Sequence, residues 1–323
     1  MEHVFIPPRM PIFEPQERPD DIRLKHIIAR ADGNHGLDVG IVGVPFDFGV
    51  KLSGGRTGAR DAPDAIRLQL KKYGTVYNIE RGTDISRLSI ADFGNVRVRR
   101  NETRGTHDRI TAAVCTALVS TRAVIVLGGG NDITYASVKA LSKTFGLISG
   151  MNVDAHLDVR PVVNNKRSSG TPYRCLIDEG HLRADNFWEV AIQGHINSYH
   201  HVRWLRAKGG HIVYLSDIRK KGTASVAKKI LSNISRSRTT FVSVDIDSVA
   251  QAFAPGSSAP SPDGLFPEDI LTLSFLAGKN PNVKLFEIME VNPAYDIDAR
   301  TCRLAANMIH EFLSGFSLRN RKT

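Results

Sequence analysis

Short β-branched runs alternate with longer helical stretches along this chain. The runs lie near Asp38–Val44, Leu88–Asp92, Ala123–Leu127, Leu147–Asp154, Glu189–Gln193, His211–Leu215, Phe241–Asp245 and Lys284–Glu290. Between them the pattern predicts helices, among them Ala62–Lys72, Arg109–Val119, Ile133–Lys143, Ala224–Ser232 and Ala299–Leu313. Strands alternating with helices argue for an α/β protein with a mostly parallel sheet and helices on its faces. No internal repeat or low-complexity tract interrupts the pattern. Residues 36–323 are expected to form a single domain, and residues 1–35 a polar, Pro-rich N-terminal extension that wraps the outside or mediates assembly. Two loops, Pro161–Pro172 and Ala254–Phe266, are long and rich in Gly, Ser and Pro, and loops of that length in a compact domain are often functional.

Polar residues interrupt this pattern most sharply at three strand ends. Asn152-Val-Asp-Ala-His-Leu-Asp-Val-Arg160 follows the apolar run Leu147–Val153 and sets Asp154, His156 and Asp158 at alternate positions. Alternate residues of an extended chain point to one side. Phe241-Val-Ser-Val-Asp-Ile-Asp-Ser248 repeats the device with Asp245 and Asp247, and the glycine turn of Val124-Ile-Val-Leu-Gly-Gly-Gly-Asn-Asp132 carries Asn131 to a third strand end. A single Asp at such a place is ordinarily a cap or turn residue, and the Gly128–Gly130 run fails the G-x-G-x-x-G nucleotide pattern because position 133 is isoleucine. Two alternating carboxylate pairs, one with an interposed His, exceed what capping needs. Without a cation such a cluster would raise its own pKa values and destabilise the fold. Oxygen-rich ligands with one imidazole and no Cys suit manganese better than zinc. Four aspartates balance two divalent ions, and a hydroxide bridging the ions is the expected nucleophile.

The ligands also constrain topology. They end the third, fourth and seventh runs, and Glu290 ends the eighth. In a (β/α)8 barrel the third and fourth strands lie across the ring from the seventh and eighth. In an open sheet the order 3-8-7-4 makes them neighbours, with the ligands gathered at carboxyl ends near a topological switch. The open sheet is therefore expected.

Composition adds little. The hydrophobic share is 41% and the charged share 24%, those of a globular protein. The net charge of +10 raises the question of nucleic acid. The basic residues are dispersed, and the densest group (Arg97, Arg99, Arg100, Arg104) falls in an expected loop without a nucleic-acid motif. No apolar run approaches bilayer length and no signal peptide is evident, so no membrane partner is expected. Cys115, Cys175 and Cys302 are too few and scattered for a disulfide framework. A cytoplasmic location is expected.

The segments resemble the arginase–agmatinase–formiminoglutamase (ureohydrolase) superfamily. The resemblance rests on Gly43-Val-Pro-Phe-Asp47, Gly54-Gly-Arg-Thr-Gly-Ala-Arg60, Asp92-Phe-Gly94, Gly128-Gly-Gly-Asn-Asp132, Asp154-Ala-His-Leu-Asp158, Ser243-Val-Asp-Ile-Asp247, Ala254-Pro-Gly256 and Glu290-Val-Asn-Pro293. It implies a three-layer α/β/α fold with a central eight-stranded, mostly parallel sheet. It implies two Mn2+ per subunit bridged by Asp154 and Asp245, with Asn131 and Asp158 completing the first shell and His156 and Asp247 the second. It further implies that Asp158 passes a proton to the leaving nitrogen, that Glu290 faces the cationic amidine, and that the chain is a homo-oligomer. Asn131 stands where the family usually has His, which weakens the first metal position and leaves a metal-poor, non-catalytic relative as a rival reading.

Ser168-Ser-Gly-Thr-Pro-Tyr-Arg174, Phe253-Ala-Pro-Gly-Ser-Ser-Ala-Pro260 and Glu290-Val-Asn-Pro-Ala-Tyr-Asp-Ile-Asp-Ala-Arg-Thr301 are most similar to the formiminoglutamase branch. That resemblance implies hydrolysis of N-formimino-L-glutamate, a small anionic amidine. Arg160 and Arg174, with Ser168 and Ser169 in the same loop and Arg56 as a further candidate, are the expected substrate contacts, because guanidinium forks grip carboxylates. Agmatinase, arginase or guanidino-acid hydrolase activity, releasing urea, is the alternative.

Overall fold

A computed structural model describes residues 4–18, 20–31, 36–234 and 239–319. Its strands are β1 (Phe5–Ile6), β2 (Ile28–Arg30), β3 (Leu37–Gly43), β4 (Tyr77–Asn78), β5 (Thr83–Asp84), β6 (Ile90–Val96), β7 (Thr121–Leu127), β8 (Ser149–Val153), β9 (Phe187–Ile192), β10 (His211–Tyr214), β11 (Thr240–Asp245) and β12 (Val283–Met289). All but β4 and β5, which pair as a separate hairpin, form one sheet in the order β1-β6-β3-β7-β12-β11-β8-β9-β10, with β2 also on β6. Every pairing in this sheet is parallel except β1 with β6.

The eight expected runs are all strands, and the 3-8-7-4 neighbourhood appears as β7-β12-β11-β8. The count of eight is corrected to ten. The added strands, β1 and β2, come from the N-terminal segment and are two and three residues long, too short for alternation to declare them. They dock on opposite ends of β6, which itself runs past the expected Asp92 to Val96. Gly94 permits this extension: it has φ +87°, and a Cβ there would lie 2.5 Å from the Ile6 carbonyl oxygen, so the close pass of β1 over β6 needs glycine.

Successive strand residues serve opposite faces, and here both faces are apolar. Ala123, Ile125 and Leu127 pack with helices Ala62–Lys72, Thr223–Ile234, Pro267–Lys279 and Arg300–Ser317 in one layer. Val124 and Val126 pack with Thr103–Ser120, Ile133–Phe145, Pro172–Asp178 and Tyr199–Ala207 in the other. The result is the expected α/β/α sandwich. No helix among the described residues is long and apolar enough to cross a membrane.

A buried ion pair ties this first layer to the sheet. Arg67, on the helix Ala62–Lys72, is fully buried and forks onto Asp92 through Nε and Nη2, both at 2.9 Å, with Nη1 donating to Asn95 Oδ1 at 2.6 Å. It clips that helix to β6. Removing one member of a buried pair leaves the other charge uncompensated, at a cost of about 3–5 kcal/mol. Arg67→Ala should lower unfolding stability by that order in urea titrations. An unchanged midpoint and slope would show that the clip is dispensable.

Candidate metal centre and active site

The sheet order brings the carboxyl ends of β7, β12, β11 and β8 side by side, and the chain leaves each of them carrying acid or amide. Asp154 follows β8, Asp245 ends β11, Glu290 follows β12, and Asn131 follows the Gly128–Gly130 turn after β7. That turn is close-packed: a Cβ at Gly129 would overlap the Phe46 carbonyl oxygen. Glu290 N donates to Gly129 O at 2.8 Å, and Asn131 N donates to Glu290 Oε1 at 2.8 Å. Asp158 and Glu290 both have left-handed backbones, φ 45° and 62°. Non-glycine residues are strained there, and such strain clusters at functional sites.

Ligand atoms of Asp154, His156 and Asp247 lie within 4.8 Å of one another, as do those of Asp154, Asp158 and Asp245. Asp154 belongs to both sets, the position of a bridging ligand. His156 Nδ1 is 3.2 Å from Asp247 Oδ2 and 3.4 Å from Asp154 Oδ1. Two backbone amides fix the acids: His156 N donates to Asp154 Oδ1 at 2.6 Å, and Asp247 N to Asp245 Oδ1 at 3.0 Å. The expected ligands therefore converge. Asn131 joins them through Nδ2, which donates to Asp158 Oδ2 at 2.5 Å, while its Oδ1 accepts from Thr134 at 2.9 Å.

Burial, then the mutual repulsion of the acids, pushes these carboxyls up. Asp154 rises to about 6, with Asp247 as its main charged neighbour. Asp158, Asp245 and Glu290 rise well above the usual carboxylate range for the same two reasons. Burial works against the charge of His156, but Asp247 and Asp154 outweigh it and carry the imidazole up to about 12. Asp247 Oδ1 and Glu290 Oε2 are buried without a hydrogen-bond partner. An oxygen-rich cluster with one imidazole, orphaned acceptors and unfavourable charge fits hard divalent cations.

A cavity of about 290 Å3 opens over the cluster. Its floor is His156, Asp158, Asp245, Asp247 and Glu290, and its walls include Ser53, Gly54, Gly55, Arg160, Ser169 and Ser258. A second cavity of about 250 Å3 shares His156, Asp158 and Arg160 and is otherwise lined by Leu157, Ile196, Asn197, Ser198 and His201. Arg160 and Ser169 thus line the cavity above the cluster, with Ser169 Oγ 2.7 Å from Ser53 Oγ.

Arg174, Ser168 and Arg56 line neither cavity. The Arg174 guanidinium donates to Asp178 at 2.6 Å and stacks on Trp204 at 4.0 Å, a pairing that the one-turn spacing on helix Pro172–Asp178 allows. Ser168 is buried in a tight turn closed by Thr171. Arg56 donates to the carbonyls of Ser257 and Ser258 and stacks on Tyr295, so it ties the 254–260 loop down. Of the cavity residues not singled out from sequence, Ser53 and Ser258 adjoin or lie within motifs that carry the resemblance. His201 has no sequence signal, being one polar residue on an amphipathic helix.

The Arginase family model matches residues 37–315 of this chain. The chain belongs to the arginase family. It is 30% identical over 287 residues to a formimidoylglutamase of Halalkalibacterium halodurans, covering 88% of this chain and 89% of that protein. It is 30% identical over 279 residues to the human mitochondrial guanidino acid hydrolase, covering 86% and 78%. The structure superposes on Trypanosoma cruzi formiminoglutamase with Mn2+ at a TM-score of 0.87 and 34% identity, covering 93% of this chain and all of that one.

The charge arrangement has a pH signature. A carboxyl whose folded pKa is raised binds its proton more tightly when folded, so its contribution is full below the ordinary 3.8 and is lost as pH rises through about 6 for Asp154. His156 acts in the same direction, its contribution lost only towards about 12. The metal-free protein should therefore lose thermal stability as pH is raised from 5 to 8, and saturating Mn2+ should reverse that slope because the metal competes with protons. Melting curves in chelator and in MnCl2 test this, and parallel pH profiles would refute it.

Proposed function

We propose that this chain hydrolyses N-formimino-L-glutamate to L-glutamate and formamide, with two Mn2+ ions as cofactor. It is a hydrolase acting on the carbon–nitrogen bond of an amidine. The observation that carries the substrate reading is the polarity of the main cavity. Its floor is acidic, and Arg160 on its wall makes no ion pair with any described residue. A ligand with one cationic end and at least one carboxylate complements that layout. Agmatine, with a second cation and no carboxylate, would set its amine against Arg160.

In this reading Asp154 and Asp245 serve both ions, Asn131 and Asp158 the first, and His156 and Asp247 the second. The bound ions would supply a water acidic enough to furnish a nucleophile near neutral pH. The chain does the rest. Glu290, held at its backbone by Gly129 and accepting from Asn131 N through Oε1, turns a partnerless carboxylate oxygen to the amidinium. Arg160 holds the carboxylate end and fixes the formimino carbon over the floor. Asp158, at the junction of the two cavities, carries a proton to the departing nitrogen.

A second reading has the same support from Arg160: a guanidino acid also joins a cation to a carboxylate, and the human guanidino acid hydrolase is as similar in sequence as the bacterial formimidoylglutamase. A substrate panel with Mn2+, scored separately for formamide, glutamate and urea, separates them. Formamide and glutamate in equal amounts are expected, and urea from guanidinobutyrate with no formamide from formiminoglutamate would overturn the first reading. Arg160→Ala should raise KM for formiminoglutamate about 10- to 100-fold, the worth of a charged hydrogen bond, with a smaller change in kcat. Asp245→Ala should abolish Mn2+-dependent turnover, and full activity in that variant would remove the metal mechanism.

A further inference from the structure

Asn131 differs from the carboxylate ligands in having two unlike ends. An amide offers a cation its oxygen, never its NH2 group. Here the NH2 group faces Asp158 and the oxygen faces Thr134. A half-turn about the terminal torsion exchanges the ends with almost no change of shape. The group behind the amide therefore decides which end faces forward, and that group is a hydroxyl, which can donate or accept.

The Thr134 hydroxyl begins a buried chain. Its oxygen lies 3.3 Å from Ser243 Oγ. Ser243 on β11 is the Cα partner of Glu287 on β12. Glu287 is fully buried; Ser137 donates to its Oε2 at 2.5 Å, while Oε1 has no partner. Burial pushes its carboxyl up to about 7, and the hydroxyls of Ser137, Ser243 and Thr134 work against that rise by favouring the charged form. An ionised carboxylate only accepts, so it draws hydroxyl hydrogens towards itself. When Thr134 donates to Asn131, the single Ser243 hydrogen must serve either Thr134 or Glu287 Oε1, and one of the two goes without it. When the amide is turned, Asn131 Nδ2 donates to Thr134, Thr134 to Ser243, and Ser243 to Glu287 Oε1. The two hydroxyls and one Asn131 N–H then each have an acceptor, and Asn131 Oδ1 faces the space beside Asp158.

We propose that Thr134, Ser243 and Glu287 are positioning residues that turn the Asn131 amide oxygen towards the first metal ion. Glu287 is the acceptor that sets the direction of the chain. The inference rests on the two-metal reading. With no cation present, an NH2 group against Asp158 is the favourable face; a cation there reverses the preference, and the hydroxyl chain gives the turned amide an acceptor.

The test is Mn2+ titration of the purified apoprotein, with bound and free ion counted by electron paramagnetic resonance. The wild type should bind two ions and give a spin-coupled signal. Thr134→Val, and separately Glu287→Gln, whose amide can donate into the chain, should weaken one of the two ions about 10- to 100-fold, the usual effect of losing a group that orients a ligand, and leave the other in place. Thr134→Ser, which keeps the hydroxyl, should bind both ions as the wild type does, and guards against a fold lost with valine. Asn131→Asp has oxygen at both ends and no face to choose, so adding Thr134→Val to it should change affinity by no more than about twofold, as for independent sites. Unchanged affinities in Thr134→Val and Glu287→Gln, or a Thr134→Val loss that persists undiminished beside Asn131→Asp, would overturn the positioning role. A wild type that binds fewer than two ions would overturn the two-metal reading and this inference with it.

Discussion

Repulsion among buried carboxylates is the constraint around which this molecule is organised. Asp154, Asp245, Asp247 and Glu290 are each at most 4% exposed, and half-buried Asp158 lies against them. Nothing in an ordinary folding ledger favours such a gathering. The parallel sheet enforces it, because neighbouring strands lie about 4.8 Å apart and the order β7-β12-β11-β8 sets four acid- or amide-bearing ends in a row. Protons relieve the repulsion in part and divalent cations would relieve it fully, so a geometry that is costly by itself is suited to holding metal. His156 contributes a single positive charge from within the chain. That is too little to balance four aspartates.

The same constraint explains why so much could be read from residues alone. Asp154, His156 and Asp158 alternate directly after a buried run, as do Asp245 and Asp247, and a two-residue period at a strand end has few other causes. Their need to meet selected an open sheet over a barrel and predicted which strands are neighbours. What stayed hidden depends on contacts that no periodicity encodes. β1 and β2 exist through backbone pairing to β6, which a two- or three-residue segment does not advertise. Arg67 is one charge in an amphipathic helix until Asp92 is seen opposite it. Arg174 carried a decipherable alternative, since Asp178 stands one helical turn away. A carboxylate already within reach outcompetes a substrate that must first bind.

Arg160 escapes that competition because of where its chain goes. Its backbone N donates to Gly170 O at 2.9 Å, which closes the long loop on itself, and its side chain packs against Gly170, where a Cβ would lie 2.9 Å from the Arg160 Cδ. The guanidinium is thus steered by packing and not by an internal acid. It stands between two cavities that share it with His156 and Asp158. An acidic floor and a guanidinium wall of one small cavity impose opposite requirements on the two ends of a ligand. In the proposed reading a substrate is selected by the separation of its charges as much as by their signs, so a shared hydrolytic floor would serve different amidines.

The row of polar residues one step below the ligands carries the argument furthest. Glu189, Asn152, Ser243 and Glu287 are successive Cα partners across β9, β8, β11 and β12, all facing the layer that holds Phe187, Phe241 and Leu285. Burial drives the carboxyls of this row upward, Glu287 to about 7 and Glu189 well above the usual carboxylate range, so apolar residues of similar size would stabilise the sheet. Their partners account for their presence. Asn152 Nδ2 donates at once to Asp154 Oδ2 and Glu189 Oε2, and Ser243 and Glu287 lead to Asn131 through Thr134. An imidazole at position 131 would offer a cation one ring nitrogen, and a half-turn of its ring exchanges nitrogen with carbon. An amide likewise must be turned the right way, and in the proposed reading the hydrogen-bond network beneath Asn131 is what turns it.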